Sequence, residues 1–179
     1  MLCVSCKQSH LEPKELEPGL IAAVCSECSG ALVSLMNYRY WLDNMGAAFV
    51  QADAKAEVPD ELPGVRACPK CTRLMTKYQM GAASEHKLDL CAGCDEAWLD
   101  KGEWQLLKQL DLQGKLPKIF TEAWQRNIRK ARQELALQDR YEKLLGADDF
   151  ATLNTFKQWL YHHPQKEAMK QFIAINPEI

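Results

Sequence analysis

All eight cysteines of this 179-residue chain fall in four Cys-x-x-Cys pairs, and none is left over. Cys3 and Cys6 are followed after eighteen residues by Cys25 and Cys28, and Cys68 and Cys71 after nineteen residues by Cys91 and Cys94. Two such pairs can close a tetrahedron of thiolates around one metal ion, and sulfur-only ligation of this kind selects Zn²⁺ over harder cations. The expectation is two Zn²⁺ ions per chain, each holding together a module too small to bury a sufficient core by itself. A lone CxxC at a helix start would suggest thiol redox chemistry, but four pairs in two matched sets favour structural metal. Four cysteines per ion leave no open position of the kind a catalytic zinc keeps. His10 and His86 could chemically replace a thiolate, although the spacing requires neither.

Offsets of 65 and 66 residues relate corresponding cysteines of the two sets, and Gly19 and Gly81 fall in the two intervening loops. The pattern reads as an internal repeat. In the first copy, Leu20-Ile21-Ala22-Ala23-Val24 is the clearest strand. In the second, Leu74 to Met80 and His86 to Leu90 read as two strands joined around Gly81. Asp100 followed three residues later by Glu103 reads as a capping box for a helix through Leu110. The predicted fold class is small α+β: two zinc ribbons of short antiparallel strands with zinc knuckles, then a mostly helical C-terminal region.

The expected boundaries are an N-terminal ribbon at 1–30, a helix at 31–53, an acidic linker at 54–66, a second ribbon with its helix at 67–113, and a helical domain at 114–179. Apolar residues at helical spacing, among them Leu32, Leu35, Tyr40, Trp41, Met45 and Phe49, define the helix after the first ribbon. Pro59, Pro63 and Gly64 among acidic residues define the linker. Beyond Pro117, which suits a first helical turn, Phe120, Trp124, Ile128, Leu135, Tyr141 and Leu145 mark a long helix. Phe150, Leu153, Phe156, Trp159 and Leu160 mark a buried stripe on the next, and Met169, Phe172 and Ile173 mark a final short one.

The second ribbon resembles the bacterial TFIIB-type zinc-ribbon family. Its motif of Cys-Pro-x-Cys, a methionine-bearing strand and Cys-x-x-Cys leading to Trp-Leu-Asp-x-Gly-Glu is matched by Cys68, Pro69, Cys71, Met75, Cys91, Cys94, Trp98, Leu99, Asp100, Gly102 and Glu103. The likeness is strongest over residues 68–103, with a degenerate copy at 3–30. Where the family commonly has glycine two residues after its last cysteine, this chain has Glu96, a departure that could strain the turn; the first copy keeps Gly30. The resemblance implies contact with proteins or nucleic acids as a binding module, since zinc ribbons serve both uses.

The formal net charge is -2, and two four-thiolate zinc sites would bring it to about -6. That is not the charge of a globally basic nucleic-acid binder. Residues 1–65 carry four basic and nine acidic side chains, whereas residues 114–179 carry eleven and eight. Within the latter, Arg126, Arg129, Lys130 and Arg132 concentrate positive charge that can contact phosphates or a partner, or simply line a solvated helix face. Lys70, Arg73 and Lys77 beside the second knuckle are secondary candidates. The start has no basic segment leading into an apolar core, and no apolar run approaches the roughly 20 residues of a spanning helix. A cytoplasmic, non-enzymatic protein without a membrane partner is therefore expected. A protein-interaction or adaptor module in a larger complex fits the sequence best, with a nucleic-acid-associated or transcription-related factor as the alternative. No catalytic residues are identified: phosphate loop, supported nucleophile triad and paired carboxylates are all missing from the sequence.

Overall fold

A computed structural model describes residues 1–45 and 64–175. Two compact units divide the chain, Met1–Ala131 and Arg132–Ile179. The first is α+β. Its strands are β1 (Leu11–Glu17), β2 (Leu20–Cys25), β3 (Ala31–Ser34), β4 (Thr76–Gln79), β5 (Lys87–Cys91) and β6 (Glu96–Leu99). They form one six-stranded antiparallel sheet in the order β1-β2-β3-β6-β5-β4. The two cysteine modules thus share a sheet, joined along β3 and β6.

The register of that seam explains the sequence around it. Leu32 lies opposite Trp98, Ala31 opposite Leu99 and Val33 opposite Ala97. Leu32 and Trp98 stand 66 residues apart, the offset that separates Cys28 from Cys94. A side chain at Gly30 would collide with the Trp98 indole, placing its Cβ 3.0 Å from Cη2 and closer still to Cζ2. Gly30 is therefore needed to seat Trp98. At the same offset, Glu96 takes the place of Gly30 and Leu32 that of Trp98; Glu96 sits in β6, buried, and pairs with Lys70. Glu96 introduces no left-handed backbone at its position: the positive φ angle belongs to Asp95 before it. Gly30→Ala is expected to cost about 1–3 kcal/mol through overpacking, as read by urea unfolding.

Alternation along these strands separates two cores, because successive side chains point to opposite faces. One face, with Leu20, Ala22, Ala31, Val33, Leu88, Ala97 and Leu99, packs on helices; the other holds Leu32 and Trp98 among the cysteines. Helix α1 (Leu35–Met45) starts directly after β3, and α2 (Glu103–Gln109) and α3 (Leu116–Ile119) follow β6. Tyr38, Trp41 and Trp104 make an aromatic cluster with ring centroids 5.6–6.5 Å apart. Each finds a polar partner: the Tyr38 hydroxyl donates to the Gln113 carbonyl at 2.5 Å, Trp41 Nε1 to the Pro18 carbonyl at 3.0 Å, and Trp104 Nε1 to Glu17 at 2.8 Å. The helix expected over 31–53 thus yields its first four residues to β3, which the seam with β6 demands. Residues 46–53, Phe49 included, and most of the linker at 54–66 lie outside the described residues.

Helix α4 (Glu122–Leu145) contributes its first turns to this unit. Gln125 mimics a ladder strand against β4: its Oε1 accepts from the Gln79 N–H at 3.1 Å and its Nε2 donates to the Gln79 carbonyl at 2.9 Å. An amide side chain thereby occupies backbone groups at the sheet edge. In the second unit, the rest of α4 is followed by α5 (Ala147–His162) and α6 (Lys166–Ala174). The periodic stripes do correspond to helices, but not to burial: none of the described residues from 132 to 175 is buried.

Candidate metal centres

Each CxxC turns its chain in the same way. The residue after each pair, Lys7, Ser29, Thr72 or Asp95, has a left-handed φ between 54° and 62°. In three of the turns that residue's N–H donates back to the first cysteine's carbonyl: Lys7 to Cys3 at 3.2 Å, Ser29 to Cys25 at 3.0 Å and Thr72 to Cys68 at 2.8 Å. This conformation aims successive backbone N–H groups at sulfur, those of Ser5 and Cys6 at Cys3 and those of Lys70 and Cys71 at Cys68. Such donors stabilise thiolate charge.

The turns bring Cys3, Cys6, Cys25 and Cys28 together, and likewise Cys68, Cys71, Cys91 and Cys94, with all sulfurs of a set within 4.8 Å of one another. Cys3 and Cys28 are 3.5 Å apart, Cys6 and Cys25 3.6 Å, and Cys71 and Cys91 3.6 Å. Metal–sulfur bonds of about 2.3 Å in a tetrahedron place sulfurs about 3.8 Å apart, whereas a disulfide needs about 2.05 Å. Both sets therefore fit a metal ion, one each. In each set the first and third cysteines are buried and the other two half-buried. The bare thiols already differ: the Arg73 backbone N–H holds Cys71 down at about 7, and the thiol partner Cys71, with burial, pushes Cys94 up to about 12.

Residues around the sulfurs are committed to the fold. Cys3, Cys25, Cys68 and Cys91 share one buried cluster with Leu11, Leu32, Met75 and Trp98. Lys70 pairs with buried Glu96, and Lys77 lies 3.4 Å from Asp89. The Arg73 guanidinium lies across Gly93, where a Cβ would strike it. Of these three secondary phosphate candidates by sequence, Lys70 and Lys77 are paired within the unit, while Arg73 is exposed. His10 and His86 belong to neither sulfur set; His86 instead lies 3.9 Å from Glu103. Among the described residues, no other group of histidine, cysteine and carboxylate side chains is arranged to hold a metal.

No family model, curated protein or solved structure matches this chain. Its function must be read from its own geometry.

One residue that gave no signal in the sequence ties the two centres together. Arg66, 6% exposed, reaches Asp89 at 2.8 Å, Asp100 at 2.5 Å and the Ser5 hydroxyl at 3.3 Å. Ser5 lies within the first knuckle, Asp89 on β5 and Asp100 just after β6. The Ser5 hydroxyl and Trp98 Nε1 also donate to Asp100 Oδ1, at 3.0 and 2.8 Å. Asp100 is thus occupied by side chains and does not cap α2. Gly102, at φ 83°, is the cap, with no side-chain bond, and only the reverse half of the expected capping box forms: the Asp100 N–H donates to Glu103 Oε2 at 2.7 Å. Burial pushes the Glu103 carboxyl up to about 8. Burial also raises Asp89, against the pull of Lys77 and Arg66.

Arg126, Arg129 and Lys130 are exposed and Arg132 half-buried on α4, Arg129 paired with Glu122 at 2.5 Å. Among the described residues no helix is long and apolar enough to cross a membrane.

Proposed function

We propose that this chain is a non-enzymatic, two-zinc protein of the TFIIB-type ribbon kind, built from a duplicated ribbon, that serves as a protein-interaction or adaptor module in a larger cytoplasmic complex. One observation carries the reading. The unit Arg132–Ile179 has no buried residue among those described, yet it displays Leu153, Phe156, Trp159, Tyr161, Phe172 and Ile173 at 42–78% exposure. Apolar exposure of this extent is characteristic of a surface that another macromolecule covers. The four-thiolate centres support a scaffold role: their coordination is complete without substrate, and the sheet they share holds the modules in fixed register. Zinc is the ion that suits closed all-sulfur tetrahedra.

Nucleic-acid association through Arg126, Arg129, Lys130 and Arg132 is the competing reading. Purified with nuclease, the chain is expected to be free of nucleic acid and to show no salt-dependent binding to duplex or single strands. Affinity falling with salt, at a log–log slope of about 0.9 per duplex phosphate neutralised, and abolished by Arg126→Ala/Arg129→Ala/Lys130→Ala, would replace the adaptor reading with the nucleic-acid one.

A further inference from the structure

The exposed apolar face of α5 fits a second copy of itself. We propose that the chain forms a two-fold dimer in which α5 packs antiparallel on α5 of another copy, with Leu153 at the axis; this rests on reading the face as an interaction surface.

A helix advances 100° per residue, so Asp149, Leu153, Phe156, Lys157 and Leu160 fall on one side of α5. A two-fold contact must be self-complementary: if residue i meets j, then j meets i. Antiparallel packing centred on Leu153 satisfies this at three levels. Leu153 meets its own copy once, while Phe150 meets Phe156 and Asp149 meets Lys157, each of these two pairs occurring twice. Leu153 is 50% exposed and Phe156 42%. Asp149 and Lys157 are exposed, and among the described residues neither forms an ion pair or side-chain hydrogen bond within its own chain.

Charge supports the same occupant. Residues 147–175 hold three acids, Asp148, Asp149 and Glu167, and three bases, Lys157, Lys166 and Lys170. A balanced hairpin lacks the positive field that nucleic acid requires and does not repel a copy of itself. Phe156 also borders a cleft of about 380 Å³ between α5 and α6, lined by Trp159, Met169 and Phe172. Phe150 of the second copy would close over its edge.

Sedimentation velocity of the full zinc-loaded chain is expected to show a reversible dimer at micromolar concentration. Asp149→Lys and Lys157→Asp each place like charges at two symmetric contacts and are expected to weaken the dimer about tenfold; the double swap should restore it. Phe156→Asp, at an exposed position, should give a monomer with unchanged helical circular dichroism. A monomer at every wild-type concentration overturns the proposal, and so does a dimer indifferent to both single swaps. If that monomer still captures a host protein through Phe156, the dimer is refuted while the adaptor reading survives it; if it captures none, both fall.

Discussion

Replacing Cys91 by serine is expected to unfold the sheet unit as a whole, lowering the bound metal, zinc on the proposed reading, from two ions per chain to one or none. Structural zinc contributes an apparent 10–16 kcal/mol or so to small metal-dependent folds, more than most domains hold in reserve. The effect should not stay local. Cys91 ends β5, one strand from the β3–β6 seam, and lies in the buried cluster that includes cysteines of both sets. Emptying the second centre therefore exposes Leu32 and Trp98, on which the first centre also rests. Cys3→Ser is expected to act the same way from the other side. Elemental zinc analysis combined with tryptophan fluorescence during thermal unfolding tests this. If the remaining module melts separately near the wild-type temperature, the shared sheet does not couple the centres.

Arg66→Ala is expected to cost about 3–5 kcal/mol, the usual penalty when one partner of a buried ion pair is removed and its counter-charge is left behind. Arg66 faces two carboxylates, Asp89 at 2% and Asp100 at 12% side-chain exposure. Lys77 lies 3.4 Å from Asp89 and is left in place by the substitution, so most of the loss should come through Asp100 and the first knuckle. Arg66→Ala/Asp100→Asn, which removes the abandoned charge, should recover part of it. Urea unfolding of the zinc-loaded proteins reads both. A loss below about 1 kcal/mol would equate this triad with an exposed salt bridge, and the proposed coupling of knuckle to sheet would fail.

Local signals were legible in proportion to how little they depended on distant chain. The Cys-x-x-Cys spacing located all eight sulfurs because each turn is made within a few residues. Strand β2 and the helices around Trp124, Phe156 and Phe172 were legible as periodicity. That same periodicity could not say whether a stripe is buried, since an apolar face looks alike whether it meets a core or another molecule. Asp100 looked like a cap because Asp and Glu three apart form one in isolation; Arg66, Ser5 and Trp98 claim its oxygens first. Arg66 was invisible because its partners lie 23 and 34 residues ahead and 61 behind.

By itself, the sequence determined the composition of the two sulfur sets, their suitability for one ion each, and the placement of β2, β4 and β5 beside them. Only the tertiary structure decided that the two modules are one sheet. That follows from the pairing of β3 with β6, where Gly30 vacates the space Trp98 fills, a steric fit between residues 68 positions apart that no local pattern records.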